Sequence, residues 1–391
     1  MRILIVGAGI AGLSAALQLG RAGHAVHVLE RHARVRDGGY MIDFFGPGFD
    51  AADKMGLLPA LEAIHYAIPH LRFVDARGRA RADLAYTTLR AKLFGGWHFN
   101  FMRGELEVVL YEHAKEAARF RFGASPTEIV QRGAEVVVAA TDGGRDAFDL
   151  VLGADGVHSA VRGLVLAPGE ARLVSLGAHT AAYVASRRPP GLSNDAFESM
   201  SVAGKTIAAY PIRGGRTATF LVHRAAAPIG DRSPSACRAE LERTFRGAGW
   251  IADELLDVFP ADGAGVYFDD VVQVVASRWS AGRVALLGDA AGCVSLVAGQ
   301  GASMAVAGAY VLARELDAHG DDVAAALAAY EARVRPAVEK RQRAGRRNAS
   351  VFLPRSDAGA WLRDRTFDVA MRSPLAGLFG RTLGDAPLVL D

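Results

Sequence analysis

Apolar residues fill positions 3 to 6 without a break, the chain breaks to Gly7-Ala8-Gly9-Ile10-Ala11-Gly12, and apolar residues then return at helical spacing as far as Leu19. Such a pattern predicts a buried strand, a tight turn and a helix stopped at Gly23, followed by a second strand ending in Val28-Leu29-Glu30. A further helix is expected from about Gly48 to Leu57, stopped by Pro59. Between His70 and Phe101 the pattern changes to short alternating runs around an Arg77-Gly78 turn, which predict antiparallel strands, including Trp97–Phe101. Helical spacing resumes from Arg103 to Lys115, and Glu135–Leu152 reads as a hairpin closed at Asp142-Gly-Gly-Arg145. Strands dominate from Ala171 to Ser277; the clearest hairpin flanks Arg213-Gly-Gly-Arg216 and brings Tyr210 near Thr219, and a helix is expected over Ser233–Trp250. A buried strand follows at Arg283–Leu287, then a helix past Gly301, a long helix over Asp321–Ala349 interrupted at Pro336, and a last helix over Ala358–Met371 that bridges domains.

The first of these stretches carries chemistry. Gly7 permits a turn, Gly9 lets the backbone approach a pyrophosphate, and Gly12 lets helix and strand pack closely. The pyrophosphate would sit on free N–H groups of the helix beginning near Ile10 and Ala11, and Glu30 stands where an acid accepts hydrogen bonds from a ribose. A signal peptide or membrane span is disfavoured by the glycines and by polar Ser14 and Gln18. Arg103, at a helix start, opposes the helix dipole, so a partner or ligand is expected to hold it. The pair Gly38-Gly39 marks either a close backbone approach or a plain surface loop. Asp155 and Gly156, at the end of an apolar strand and followed by Ser159 and Arg162, suit either a loop beside a phosphate or a strand-end turn with an N-cap serine.

A second diagnostic stretch begins at Gly288-Asp289. Between Arg283 and Arg314 the only charge is Asp289, and five glycines interrupt the run, which argues against a membrane span. A carboxylate at a strand's carboxyl end can bind ribityl or ribose hydroxyls, and the Gly299-Gln300-Gly301 turn would present bare N–H groups where negative charge on a reduced isoalloxazine is stabilised.

With 391 residues, 51% apolar and 22% charged, the chain can form two or three soluble globular domains. A net charge of +3 gives no reason to expect a nucleic-acid partner. Cys237 and Cys293 are the only cysteines, so a reducing cytoplasm without disulfides is expected, and as neither lies in a CxxC or Cys/His cluster no metal is expected. The basic run Lys340–Arg343 with Arg346-Arg347 reads as a solvated helix face rather than a phosphate or membrane contact. Oligomeric state is left open.

GAGIAG with Glu30-Arg31, GADGVHSAVR and GDAAGCVSLVAGQG, in this order and at these separations, resemble the class A flavoprotein monooxygenases of the para-hydroxybenzoate hydroxylase type. The likeness covers about residues 1 to 320, and VRDGGYMID also resembles the tetracycline-inactivating and polyketide-modifying members. The resemblance implies an α/β fold: a glutathione-reductase-like Rossmann FAD-binding domain (1–69, 100–170 and 278–330) interrupted by a β-sheet substrate domain (70–99 and 171–277), with a C-terminal helical region (331–391). It implies that Glu30 holds the adenosine ribose with Arg31 beside the adenine, that Asp43 and Arg103 contact FAD, that Asp289 meets the ribityl and pyrophosphate region, and that Gly301 and Ala302 meet the ring. Arg36 resembles an arginine assigned to NADPH contact, and Asp155 belongs to a motif touching both FAD and NAD(P)H. NADPH or NADH would reduce FAD, dioxygen would add to give a C4a-hydroperoxide, and an aromatic or polyketide-like small molecule would be hydroxylated.

Such chemistry belongs to the cofactor, so no catalytic side chain is named. His98, Tyr210, Phe220 and His223 are candidates for the substrate pocket, with core packing the competing role for each. Many relatives carry His or an aromatic residue at Gly292 and prolines at Val294 and Leu296, so the loop beside the flavin is expected to differ in shape. The rivals are a halogenase-like or non-oxygenating cyclising flavoenzyme and a flavin carrier without turnover. The absence of a WxWxIP segment disfavours the halogenase.

Overall fold

The computed structural model describes residues 1–36, 38–86, 98–372, 388 and 390. Asp37 and Trp97, which fall in two of the expected segments, lie outside the described residues. At the centre of a six-stranded sheet, Arg2–Val6 runs parallel to Ala25–Glu30 on one side and to Leu150–Gly153 on the other. Ala118–Phe122 extends the first side, and Val284–Leu286 with the antiparallel edge Ser280–Ala281 extends the second. Ile3, Ile5, Leu150, Leu152 and Ala285 are fully buried, the condition of parallel strands covered on both faces. Helix Ile10–Arg21 packs against both Arg103–Ala114 and Gly301–His319. Successive connections leave the central strand in opposite directions, which opens a crevice at the carboxyl ends of the strands.

Above that crevice lies an eight-stranded sheet in the order Tyr267–Ala276, Ala171–Ala182, Arg216–Arg224, Lys205–Ile212, Ala196–Val202, His70–Val74, Ala80–Ala85, with Val184–Ala185 added against Arg216–Arg224. It is antiparallel except where Ala196–Val202 meets His70–Val74. Period-two alternation divides its residues. Ile207, Ala209 and Leu221 join Cys237, Leu241 and Phe245 of helix Pro234–Phe245 in one core, whereas Phe197, Tyr210 and Phe220 point the other way, towards the crevice.

Several sequence expectations require correction. Pro59 does not stop the early helix, which ends at Lys54 by itself; it lies in the first turn of the next helix, Leu58–Ala63, where its missing N–H costs nothing. His98–Met102 pairs with Met41–Phe45 in a separate two-stranded ladder, not with the strands at 70–85. Glu135–Ala140 and Arg145–Phe148 form the expected hairpin, but Leu150–Gly153 leaves it for the parallel sheet. Helix Val323–Phe352 continues through Pro336 because Val334, Ala337 and Val338 are buried in the main core, and that burial outweighs the roughly 3 kcal/mol a proline costs inside a helix. The basic run is not wholly solvated: Arg341 and Gln342 are buried, and helix Asp357–Arg372 packs on Ala80–Ala85 and Ala196–Val202.

Among the described glycines, the closest approach lies under the first turn. A Cβ on Gly12 would stand 1.9 Å from the Gly7 carbonyl oxygen. Gly12→Ala is expected to destabilise by at least about 3 kcal/mol, read as a fall in thermal unfolding temperature, because backbone cannot yield as a side chain can. Gly163→Ala, where an added methyl meets nothing within 4 Å, serves as the control and should change stability by no more than about 1 kcal/mol.

Candidate cofactor and substrate site

A cavity of about 530 Å³ occupies the crevice, within the range of small-molecule sites. Its floor is the carboxyl end of the central strand. Gly7 has φ +107°, and a Cβ there would meet the Ala154 carbonyl oxygen at 2.5 Å, so the first glycine turn is pressed against the central motif. Gly288 of the late motif is pressed as closely on Ala11, its added Cβ falling 2.7 Å from the alanine methyl. Three segments far apart in the chain therefore converge on one cavity lined by Gly7, Gly9, Ile10, Ala11, Glu30, Arg31, Arg36, Asp43, Arg103, Asp155, Asp289, Gly301 and Ala302. Gly12, Gly39 and Gly288 stand behind this lining: Gly12 under Gly7, Gly39 against the Arg103 side chain, Gly288 on Ala11. Gly38 marks a close approach, since its added Cβ would lie 3.0 Å from the Gly265 backbone.

The electrostatics suit a long dianionic ligand. Neither helix N-terminus facing the cavity, at Ile10 or at Gly301, is capped by a side chain or carries an acid in its first turn, so their N–H groups are available to an anion. Glu30 is anchored by the Ala8 N–H (2.7 Å) and the His32 N–H (2.9 Å), which fixes its carboxylate in the cavity lining. Arg103 opens its helix against the dipole, and its partner is Glu107, one turn on, at 2.7 Å. Burial is the largest influence and works against the Arg103 charge, but Glu107 together with Tyr40, Tyr267 and Asp289 outweighs it and holds the guanidinium above its ordinary pKa. Arg36 approaches the same carboxylate at 3.6 Å, and a Cβ on Gly9 would lie 3.7 Å from it, so two cations are gathered beside the glycine turn. Burial pushes the Asp289 carboxyl above its usual range, with Arg103 opposing.

Asp155 stands in a strand-end turn beside an N-cap serine, as one of its two sequence readings has it. Its carboxylate accepts hydrogen bonds from the Ser159 hydroxyl and the Val161 N–H, while Ser159 caps Ala160–Val165 through the Arg162 N–H at 2.9 Å, and Asp155 also lines the cavity. Arg162 then ties the central motif to the late one by donating to the carbonyls of Val157 (2.6 Å) and Ala290 (3.1 Å). The loop after Asp289, which lacks the expected prolines, is held from outside. Buried Gln273 donates to the Val294 carbonyl at 3.1 Å and buried Gln342 to that of Cys293 at 2.9 Å, while Ser295 sits at φ +79°, a region costly for a side-chain-bearing residue.

Opposite Gly301 the wall is aromatic. Tyr40 lies 5.7 Å from Phe220 and 5.6 Å from Tyr267 between ring centroids, and Phe197 stacks on Tyr210 at 5.1 Å. The Tyr210 hydroxyl accepts from the Met41 N–H and donates to the Met102 sulfur at 3.8 Å. Burial pushes the Tyr40 phenol to about 12, so it stays a neutral donor. Asp43 accepts from the Tyr86 hydroxyl at 2.8 Å and from the Asn100 amide. Of the four pocket candidates, Tyr210 and Phe220 line the cavity and two do not. His98 points to the rings of His65 and Tyr86, and His223 shares the face of Leu221, so it turns away beneath helix Pro234–Phe245. Sequence reasoning missed Glu107, Asn100, Tyr86, Gln273 and Gln342. Only Glu107 carried a local signal, an acid one helical turn from Arg103 on the Leu106–Leu110 side.

Residues 1–344 match the FAD binding domain family. The chain is 35% identical over 348 residues to the uncharacterized protein Rv1260 of Mycobacterium tuberculosis H37Rv, covering 87% of this chain and 91% of that one. It is 30% identical over 370 residues to a flavin-dependent monooxygenase of an unknown prokaryotic organism, covering 91% of each. The crystal structure of tetracycline destructase Tet(51) superimposes with a TM-score of 0.83 at 28% identity, over 98% of this chain and 99% of that one. The chain belongs to the FAD binding domain family and is an FAD-dependent monooxygenase.

The buried carboxyl gives a pH-dependent prediction. Because the folded Asp289 pKa is raised, the folded apoprotein holds a proton that the unfolded chain has lost, and stability falls as pH climbs from the unfolded pKa to the folded one. Asp289→Asn is expected to flatten that fall and raise apoprotein stability near neutrality, while weakening FAD affinity. Thermal unfolding across pH, with and without FAD, measures both; a variant less stable than wild type at neutral pH overturns the assignment.

Proposed function

We propose that FAD lies along the cavity from Glu30 and Arg31, past Gly9 and the helix N-terminus at Ile10, to Asp289 and the Gly301-Ala302 turn. The aromatic wall of Tyr40, Phe197, Tyr210, Phe220 and Tyr267 then holds a flat aromatic or polyketide-like substrate for hydroxylation by dioxygen. The observation that carries this reading is that one cavity is shared by the three glycine-and-acid motifs and by that wall. FAD would supply the redox and oxygen-activating chemistry. Arg103 and Arg36, gathered by Glu107, would meet the anionic parts of FAD and of NADPH or NADH. The bare N–H groups at Gly301 and Ala302 would stabilise negative charge on the reduced ring. Tyr210, its hydroxyl already engaged, would contribute its ring face alone, and Phe220 and Phe352 would exclude water from the reacting centre. The FAD-binding domain is assigned 1–69, 98–170 and 278–330 and the substrate domain 70–86 and 171–277, with the boundary near 99 moved so that His98 and Phe99 stay with Met41–Phe45.

Purified protein should carry FAD and oxidise NADPH in air, faster with an accepted phenol or polyketide, and incorporate one oxygen atom from labelled dioxygen into the product. A yellow protein that never oxidises NADPH or NADH favours the carrier reading instead. Phe220→Ala is expected to leave FAD content unchanged, raise KM about tenfold through lost apolar contact, and divert reducing equivalents to hydrogen peroxide. Steady-state kinetics with a peroxide assay check it.

A further inference from the structure

On the far face of the large sheet, away from the cavity, His179 and His223 stand directly opposite each other on adjacent antiparallel strands. Their rings meet edge to face, centroids 5.2 Å apart, and both residues are more than nine-tenths buried, at 9% and 4% exposure. Their outer nitrogens are engaged: His179 Nε2 with the Ala227 carbonyl at 2.9 Å, and His223 Nδ1 with the Arg224 carbonyl at 3.0 Å. Those bonds put the protons on these nitrogens and leave the lone pairs of His179 Nδ1 and His223 Nε2 pointing inward, where neither has a hydrogen-bond partner among the described residues. Glu240, from helix Pro234–Phe245, reaches the same point. Its Oε1 lies 3.3 Å from His223 Nε2 and 3.8 Å from His179 Nδ1, and the three ligand atoms fall within 4.8 Å of one another.

We propose that His179, His223 and Glu240 bind a divalent cation of the zinc class. Two neutral imidazoles and one carboxylate are a recurrent ligand set for such ions. Carbonyls that hold the far ring nitrogens are the usual means of fixing tautomer and orientation in histidine metal sites. Ligand-to-metal distances of about 2.0–2.2 Å set tetrahedral ligand atoms about 3.4 Å apart, close to the two Glu240 distances and reached between the imidazoles by side-chain rotation. Arg243 now pairs with Glu240 at 2.7 Å, but its side chain is 70% exposed, so it can move into solvent at little cost. Glu240 is itself 22% exposed, which leaves a path for entry. No ligand spacing announces the site, because the three positions come from two strands and a helix separated by 44 and 17 residues. A bound ion would rivet helix Pro234–Phe245 to the sheet that carries Phe220 on its other face.

The test uses chelator-treated holoprotein titrated with zinc, with metal analysis after desalting and thermal unfolding as readouts. One zinc per chain is expected, with a rise in unfolding temperature on binding. Glu240→Gln and His223→Gln should each weaken binding by at least about 100-fold, a larger loss than that from disturbing an outer partner, and abolish the thermal shift without changing FAD content. Zinc-free wild type after exposure to micromolar zinc overturns the site. So does a Glu240→Gln protein that binds as wild type does. Should His223→Gln fail to fold, Glu240→Gln alone decides, since it alters a partly exposed side chain on a surface helix.

Discussion

The structure depends on one contact, the close approach of backbone to backbone at the carboxyl end of the central strand. Gly7 touches Ala154, Gly12 packs under Gly7, and Gly288 rests on Ala11, so three segments lie against one another at distances no Cβ permits. Contacts of this kind are discrete rather than adjustable, because interiors are packed as densely as crystals. They fix the glycine turn, the Asp155 loop and the Asp289 strand end as one rigid unit, to which Arg162 adds two hydrogen bonds. An extended cofactor can be held along such a unit with little ordering cost on binding.

Charge is arranged against this rigid floor at some cost to the apoprotein. Glu107 is fully buried, and two arginines lean on it, Arg103 from a helix start that disfavours cations and Arg36 from the loop after Ala25–Glu30. Asp289 is likewise held in an environment that penalises its charge. Neither arrangement is what stability alone would select. On the proposed placement of FAD both would become favourable once its anionic, hydroxyl-rich parts lay between them, the usual sense in which a binding site is strained without its ligand.

What could be read from the sequence follows from how local each signal is. The turn glycines, Glu30 and the Gly299–Gly301 turn act through neighbours a few residues away, so their spacing is visible in the chain. Pairing of His98–Met102 with Met41–Phe45, and the clamps of Gln273 and Gln342 on the loop after Asp289, join residues tens to hundreds of positions apart and leave no local pattern. Pro336 misled because helix propensity is weak beside burial of its neighbours. His223 misled through parity: three residues beyond Phe220 on a strand, it must point to the opposite face.

The same parity links the two faces of the large sheet. Along Arg216–Arg224, Phe220 and Val222 are directed to one side, while Leu221 and His223 are packed beneath helix Pro234–Phe245 on the other. Substrate wall and helix anchor therefore share a strand, and the position of the wall is only as well defined as the packing behind it. On the anchored side the core is mainly apolar, and the inward nitrogens of the His179–His223 pair are polar atoms that cost free energy when buried without partners. A face that must hold an aromatic wall steady over a reacting centre gains from a directional tie at that spot, because apolar packing alone permits small slippage that oriented bonds do not.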